Sequence, residues 1–248
     1  MSHTMPKTKF SNYLNWNPNS DTILAISAGV LTVLLSFAMI ITRNITWLNI
    51  AIRDIAQIFL LGIFLPLIFI LRSHENWATF GFTLRKWPIY LIINLVLGSL
   101  LLLLFLSESP PEHNFHVTSY MLKSAAFVII ALIFELVFFY AFLRTLLEKA
   151  FGIIPSIILT AMFYAFHHAG FQPEFGKLFF VGLIYALTFR LGNSALLIFP
   201  FFLGVGGLYD VFIQSQVVAP VQFPLIRTGY LILLISVTIV YIFKKKHT

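Results

Sequence analysis

The sequence predicts an all-α, polytopic membrane protein in which about eight transmembrane helices form a single bundle. Hydrophobic residues make up 59% of the 248 positions and charged residues only 10%, whereas a soluble globular domain carries about 25% charged residues. The apolar residues form long runs, and a run of about 20 residues can cross a bilayer as a helix. We therefore expect one transmembrane domain over residues 1–248, without a separate soluble domain.

Eight apolar runs define the expected spans in order along the chain. The second begins close to Arg53 and Asp54, which we expect at the membrane interface, and the fourth contains Glu135. The seventh is interrupted in composition by Pro200 and by the glycine-rich stretch that follows it. The expected bounds are Thr22–Thr42, Ile50–Leu71, Ile89–Leu106, Tyr120–Lys149, Ile153–His168, Phe175–Arg190, Ser194–Ile213 and Leu225–Phe243.

Basic residues are unevenly distributed between the two sides that eight spans define. Eleven bases fall on the side that carries both termini and five on the other. Because basic residues favour the cytoplasmic side, we expect an integral protein of the cell (inner) membrane with both termini in the cytoplasm. The eleven are Lys7, Lys9, Arg72, Arg85, Lys86, Arg144, Lys149, Arg190 and Lys244 to Lys246, and the five are Arg43, Arg53, Lys123, Lys177 and Arg227.

Composition also excludes several classes of function. The chain has no cysteine, which excludes disulfides, a thiolate nucleophile and a cysteine-ligated metal. The net charge of +7 comes from bases near the ends of apolar runs, where basic side chains anchor to lipid headgroups. We therefore expect membrane lipid, and not nucleic acid, as a partner.

The fourth and fifth spans are expected to form a hairpin that aligns two ionisable residues. Glu135 lies sixteen positions before Phe151, and His167 lies sixteen positions after it. In antiparallel helices that fold near Phe151, both residues would lie about 24 Å from the turn. An ionisable residue within a membrane span is a functional candidate. A carboxylate and an imidazole at the same height can hold a water molecule and activate it for hydrolysis.

Other interpretations of these residues remain open. Glu135 and His167 can instead join two helices by a hydrogen bond worth only about 0.6 kcal/mol. His168 is rotated by about 100° from His167 on a helix, so we expect one of the two to face Glu135 and the other to lie at the interface. Hydrolysis here requires no metal, although Glu and His are both possible zinc ligands. His113 and His116 are expected to be solvated in an outer loop.

Two segments resemble motifs of a known membrane-protein family. The run ELVFFYAFL, from Glu135 to Leu143, resembles the EExxFRGxL signature of the CAAX-protease and bacteriocin-processing (CPBP or Abi) family of intramembrane endopeptidases. The run FYAFH, which ends at His167, matches the family's FxxxH motif. Residues 181–200, VGLIYALTFRLGNSALLIFP, resemble the segment that follows it. The resemblance covers about residues 75–212.

The resemblance implies a bundle of about eight helices with its catalytic groups inside the membrane. It implies that Glu135 and His167 activate the attacking water, and that the substrate is a peptide or protein segment, either prenylated or a leader peptide. The family's second Glu corresponds to Leu136 here, and its Arg corresponds to Tyr140. A family His that is proposed to bind the developing oxyanion falls near Gly204.

These departures from the motifs leave three interpretations. A backbone N–H in a helix break around Gly204 replaces the oxyanion donor, or Tyr209 or Asp210 stands in from a displaced position. Alternatively, the chain has lost catalysis and acts as an immunity, scaffold or peptide-binding protein. Asp210 lies about 9 Å beyond Gly204 on a helix, which favours the outer interface. A transporter with a Glu–His proton relay would predict inverted repeats and a second charged group at mid-membrane, and we find neither in the sequence.

Overall fold

The computed structural model describes residues 12–42, 44–107, 117–170, 174–213 and 221–246, and all regular structure within them is helical. Lys7, Lys9, Arg43, His113 and His116, considered above, lie outside the described residues. The helices are α1 (Ser20–Thr42), α2 (Thr46–Arg72), α3 (Trp87–Ser107), α4 (Ser119–Phe151), α5 (Ile153–His167), α6 (Phe175–Gly192), α7 (Phe201–Phe212) and α8 (Pro224–Lys246).

The all-α membrane bundle expected from the sequence is confirmed. Within the described ranges, six helices are long and apolar enough to cross a bilayer, and α5 and α7 are shorter apolar helices. The seventh expected span differs in detail, because its α-helix begins only at Phe201. A 3₁₀ turn at Ala195–Leu197 precedes it. The side chain of Asn94, on α3, caps the start of this helix: its Oδ1 accepts a hydrogen bond from the Phe202 N–H at 2.7 Å.

The connections between helices define two faces of the bundle, which we call the terminal face and the opposite face. On the terminal face, the Asn15 N–H donates to the Phe151 carbonyl at 2.9 Å. On the opposite face, the Tyr120 hydroxyl donates to the Val221 carbonyl at 3.0 Å. The terminal face comprises residues 12–19, 73–86, 152 and 193–194, and the opposite face comprises residues 44–45, 117–118, 168–170, 174 and 221–223.

Helix α4 lies at the centre of the bundle. Every residue from Phe134 to Leu147 is buried, as expected for a helix that is almost entirely apolar around its circumference. Directly after Glu135, the stretch Leu136–Leu143 has π-helical i→i+5 hydrogen bonding. The stretch Ala51–Phe64 of α2 is also π-helical. Such turns are rare and occur frequently at functional sites.

A tight turn at Gly152 joins α4 to α5 and produces the expected hairpin. Gly152 has φ +88°, and a Cβ atom there would lie 2.7 Å from the Tyr13 carbonyl oxygen, so only glycine fits without strain. The N-terminal segment, residues 12–19, crosses this turn. Its Asn17 N–H donates to the Ala150 carbonyl at 2.8 Å, while the Tyr13 carbonyl accepts from the Ile154 N–H at 3.2 Å. The segment therefore fixes the terminal end of the hairpin.

The side chain of Asp54, which we expected at the membrane interface, is fully buried against α8. Arg227 of α8 donates from Nε to Asp54 Oδ2 at 2.7 Å and from Nη2 to Oδ1 at 2.5 Å. The Tyr230 hydroxyl also donates to Oδ2. The guanidinium groups of Arg227 and Arg53 both contact the Phe127 ring, at 4.5 and 5.0 Å from its centre. A buried carboxylate is tolerated here because a bidentate partner neutralises it.

Candidate functional site

A cavity of about 370 Å³ lies within the bundle and extends to the opposite face, where Tyr120 and Val221 form part of its wall. Glu135, His167 and His168 all line this cavity. Its size and its combination of apolar walls with a few polar groups are typical of small-molecule and cofactor sites. Other polar residues on its wall include Arg53, Gln57, Tyr164, Lys177, Tyr185 and Asp210.

The imidazole of His168 faces Glu135. Its Nε2 atom lies 3.8 Å from Glu135 Oε1. Its Nδ1 atom lies 2.8 Å from the Tyr164 carbonyl oxygen. Because a carbonyl can only accept, Nδ1 carries the hydrogen of this bond. In the neutral ring, Nε2 is therefore the acceptor nitrogen, and it is the nitrogen directed to Glu135.

The Glu135 carboxylate is buried, and one of its two oxygens lacks a hydrogen-bond partner in the part of the chain that the structure describes. Its side chain is 10% exposed, and Oε2 has no hydrogen-bond partner among the described residues. Two charges act on the carboxylate: the Arg53 cation attracts it, and Asp210 repels it. A buried polar atom without a partner is costly, and such atoms require an explanation such as a bound water or a catalytic role. Oε1 is therefore the Glu135 oxygen directed to His168, whereas Oε2 is buried without a partner among the described residues.

His167 is held by a separate hydrogen-bond network. Gln57 Nε2 lies 3.0 Å from His167 Nδ1 and donates to the Thr32 carbonyl at 2.9 Å. The Ser36 hydroxyl oxygen lies 2.9 Å from the same Nδ1 and donates to the Thr32 carbonyl at 3.1 Å. Gln57 Nε2 also donates to Ser36 Oγ at 2.6 Å, so its two hydrogens face three acceptor atoms. These contacts fix the orientation of the His167 ring and are compatible with either of its neutral tautomers.

The structure thus changes one assignment made from the sequence. Sequence spacing paired Glu135 with His167, and it placed the other histidine at the interface. Both imidazoles are instead buried on the cavity wall, and His168 is the one with an ion-pair distance to Glu135. The α-helix ends at His167, and His168 begins a 3₁₀ turn. The angular estimate for a continuous α-helix therefore does not apply at this position.

The two additional candidates, Tyr140 and Gly204, lie outside the cavity wall as the structure describes it. Tyr140 is fully buried, its ring centre is 6.0 Å from that of Tyr185, and its hydroxyl has no partner among the described residues. Gly204 lies within α7, which continues through the glycine-rich stretch. The expected helix break is absent there, so the backbone N–H groups of that stretch belong to the helix.

The cavity wall also carries charged residues that the sequence analysis favoured for the interface. Asp210 lines the same cavity as Glu135, and the charge of Arg53 acts on Glu135. Tyr185 also lines the cavity, with its hydroxyl 3.2 Å from the position of a Cβ atom built on Gly206. For Arg53 and Asp210 the signal in the sequence was an ionisable residue within or close to a span, but position along the span favoured the interface for both.

The part of the cavity wall that the structure describes lacks a set of side chains suited to bind a metal ion. Among the described residues, no group of three or more His, Asp or Glu side chains is arranged to hold one. Glu135 and His168 approach each other as a pair, whereas a catalytic zinc site takes three protein ligands. The residues present therefore do not fit the zinc that the sequence left possible.

The cavity and its polar residues are the main guide to function. Comparison of the chain with protein-family models, with curated proteins and with solved structures gives no match.

Proposed function

We propose that this protein is an intramembrane endopeptidase of the CAAX-processing and bacteriocin-maturation type, which hydrolyses a peptide bond with water activated by Glu135 and His168. The observation that carries the proposal is the 3.8 Å separation of Glu135 Oε1 and His168 Nε2 on the wall of a membrane-embedded cavity. The motif resemblance of residues 135–143 and 163–167 supports the same chemistry.

The separation suits a bridging water molecule. At 3.8 Å the two atoms are too far apart for a direct hydrogen bond. Both are acceptors when Glu135 is ionised and His168 is neutral, because His168 Nδ1–H is committed to the Tyr164 carbonyl. A water about 2.8 Å from each atom would donate one hydrogen to each. Its oxygen lone pairs would then be directed into the cavity, where a peptide carbonyl can approach.

The reaction follows from this arrangement. As the water oxygen bonds to the peptide carbonyl carbon, Glu135 takes one of its protons as general base. The carbonyl oxygen becomes an oxyanion in the tetrahedral intermediate. When the C–N bond breaks, Glu135 returns the proton to the leaving amine nitrogen. His168 keeps the water oriented through Nε2 and is itself oriented by its bond to Tyr164.

Oxyanion stabilisation does not require Gly204 in this scheme. In the tautomer in which His167 Nδ1 accepts from Gln57, Nε2 carries the ring hydrogen and can donate to the oxyanion. The Tyr185 hydroxyl is a second donor group on the same wall. One donor to a developing oxyanion is worth about 10²–10³ in rate. These two residues supply the function that the family motif assigns to a His at another position.

The orientation of the cavity restricts the substrate. The excess of bases on the terminal face supports a cytoplasmic location for that face and for both termini in the cell membrane. The cavity extends to the opposite face, which then lies outside the cytoplasm. This favours a leader-type peptide, or a membrane-bound segment entering from the outer side, over a soluble cytoplasmic prenylated protein.

A catalytically silent, peptide-binding relative is the second candidate. The observation that favours it is the position of Tyr140 and Gly204, which stand at motif positions but do not reach the cavity wall. Leu136, at a third motif position, has an apolar side chain in place of a carboxylate. Such a protein would bind a peptide in the same cavity as an immunity or scaffold protein.

Peptide cleavage by purified protein separates the two candidates. We expect wild type in lipid to cleave at least one member of a fluorogenic library of leader-type and prenylated peptides, and Glu135→Gln and His168→Ala to lose this activity. Ser124→Ala is the matched control, because Ser124 is a buried residue on the same cavity wall without a place in the mechanism. Peptide binding without cleavage by wild type would favour the silent relative. Full activity in Glu135→Gln would overturn the mechanism.

A further inference from the structure

A second cavity, of about 510 Å³, lies on the terminal face. It is separate from the Glu135 cavity and is formed between the N-terminal segment, the end of α4 and the start of α5. Three basic side chains contribute to its wall, together with one carboxylate. The residues that matter for its chemistry are Arg144, Glu148, Lys149, Ile153 and Arg190.

The ion pairs of this cavity leave a surplus of positive charge. Glu148 accepts from Arg144 Nη1 and, at 2.7 Å, from Arg190 Nε, so two guanidinium groups share one carboxylate. Lys149 is paired separately with Glu75. Two cations against one anion leave about one unit of positive charge for an external anion to neutralise.

Arg190 is the cation best able to contact a ligand. Arg144 is 2% exposed, and its remaining nitrogens donate to the Tyr140 carbonyl at 3.1 Å and to the Thr145 hydroxyl at 2.9 Å. Arg190 is 36% exposed, and within the described residues only its Nε makes a hydrogen bond. Its two Nη groups therefore remain for an acceptor with the fork geometry of a phosphate or carboxylate.

The start of α5 adds a second feature that favours an anion. Ile153, the first residue of this 15-residue helix, lines the cavity, and no side chain caps the helix. The Ile154 N–H of this helix donates to the Tyr13 carbonyl, the Ser156 N–H donates to the Gly152 carbonyl, and Pro155 has no N–H. The Ile153 N–H remains for a ligand, at the end of the helix where the dipole places partial positive charge. Phosphate groups bind at such helix starts. The guanidinium of Arg190 and the start of α5 thus border the same space.

The depth of the cavity indicates what kind of anion meets it. Trp16 and Trp87 are exposed on the terminal face, by 79% and 55%. Exposed tryptophans mark the headgroup region of a bilayer. The Trp16 ring packs on Phe151 at 5.2 Å, and Phe151 is next to Gly152 on the cavity wall. The cavity therefore lies level with lipid headgroups.

We propose that this cavity is a binding site for a phosphate group, held by Arg190 and by the start of α5. An anionic lipid headgroup and inorganic phosphate present the same chemistry, and the depth of the cavity favours the lipid. Since the N-terminal segment forms one wall, a bound phosphate would also stabilise the contact between that segment and the hairpin of α4 and α5.

Lipid retention by the full-length protein tests the proposal. The protein would be purified in a neutral detergent and titrated with short-chain phosphatidic acid, phosphatidylcholine or inorganic phosphate, and bound molecules would be counted by native mass spectrometry. We expect phosphatidic acid to bind and Arg190→Gln to weaken this binding by about tenfold or more, since it removes a charge-assisted contact. Arg85→Gln is the matched control, because Arg85 is an exposed cation on the same face outside the cavity.

Each outcome bears on the site directly. Competition by inorganic phosphate at equal concentration would identify free phosphate as the ligand, whereas its failure to compete would identify the lipid. Equal binding by wild type and Arg190→Gln, or equal loss in Arg85→Gln, would overturn the proposal. Should Arg190→Gln fail to fold, Arg190→Lys keeps a cation beside Glu148 but loses the two-nitrogen fork. Unchanged phosphatidic acid binding in that variant would also count against the site.

Discussion

The side chain of His168 connects the end of α5 to Glu135: its Nδ1 donates to the Tyr164 carbonyl at 2.8 Å, and its Nε2 lies 3.8 Å from Glu135 Oε1. Carbonyls in the last turn of a helix lack intrahelical partners. The residue that follows α5 thus satisfies one of these carbonyls with its side chain, and this bond determines which nitrogen faces the carboxylate. The hydrogen bond that ends α5 therefore also orients the imidazole that would hold the water.

The two histidines should differ in their kinetic effects. We expect His168→Ala to lower kcat by about 10²–10⁴, because it removes the group that orients the water. We expect His167→Ala to lower kcat by about 10²–10³, because it removes an oxyanion donor. KM should change little in both, which steady-state kinetics on one cleaved peptide would test. A full loss in His167→Ala with an active His168→Ala would reverse the assigned roles.

Gln57 should matter through His167 rather than by contact with substrate. Gln57→Leu removes a hydrogen-bond partner of both His167 Nδ1 and Ser36 Oγ, and we expect a loss of about 10- to 100-fold, as is typical when an orienting partner is removed. Ser36→Ala is the comparison: Ser36 contacts the same nitrogen, but its hydroxyl hydrogen is directed to the Thr32 carbonyl. Its activity should stay within a few fold of wild type. Equal losses in the two variants would contradict a specific role of Gln57 in orienting His167.

The buried ion pair between Asp54 and Arg227 should dominate the attachment of α8. Arg227→Ala leaves a buried carboxylate without its bidentate partner, and we expect it to destabilise the protein by about 3–5 kcal/mol. Tyr230→Phe removes one hydrogen bond to the same carboxylate and should cost only about 1 kcal/mol. Unfolding by denaturant in detergent would measure both. A smaller effect of Arg227→Ala than of Tyr230→Phe would contradict the assignment.

Close packing of Phe134 on Gly62 should hold the His167 ring in position. A Cβ atom there would lie 1.9 Å from Cδ2 of Phe134, whose ring contacts His167 at 5.2 Å. We expect Gly62→Ala to destabilise by about 1–3 kcal/mol through overpacking and to reduce cleavage. Gly229→Ala, where nothing lies within 4 Å, should leave both unchanged. Thermal unfolding and the peptide assay on the same samples would test this pair.

Because the chain has no cysteine, single substitutions can report its orientation in the membrane. We expect His74→Cys, on the terminal face, to react with a membrane-impermeant maleimide only after the cells are permeabilised. Val117→Cys, on the opposite face, should react in intact cells. The reverse pattern would place both termini outside the cytoplasm and remove the argument for a leader-type substrate.

The bundle could be predicted because the lengths of apolar runs decide membrane spans almost alone. The hairpin of α4 and α5, which brings Glu135 level with the end of α5, could also be predicted. It required only equal numbers of residues on the two sides of one turn. The choice between His167 and His168 could not. It depends on the end of α5 and on a π-helical stretch in α4, and neither has a clear signal in residue type.

The residues that interact with Asp54 and Glu135 could not be predicted from the sequence either. Arg227 lies 173 positions from Asp54, and no periodicity connects residues on α2 and α8. Arg53 was placed at the interface because a lone cation near the start of a span usually lies there. Its place on the cavity wall follows from the packing of α2 against α4, which run lengths do not specify.

The π-helical stretch Leu136–Leu143 makes α4 tolerant of a one-residue deletion at that point. A π turn holds one residue more than an α turn, so the remaining residues could close into ordinary i→i+4 bonds while Arg144 and Glu148 kept their orientation relative to Glu135. A deletion between Leu143 and Glu148 has no such turn to absorb it and would rotate the residues after it by about 100° relative to Glu135. The point in α4 at which a codon is lost therefore decides whether the two cavities keep their relative orientation.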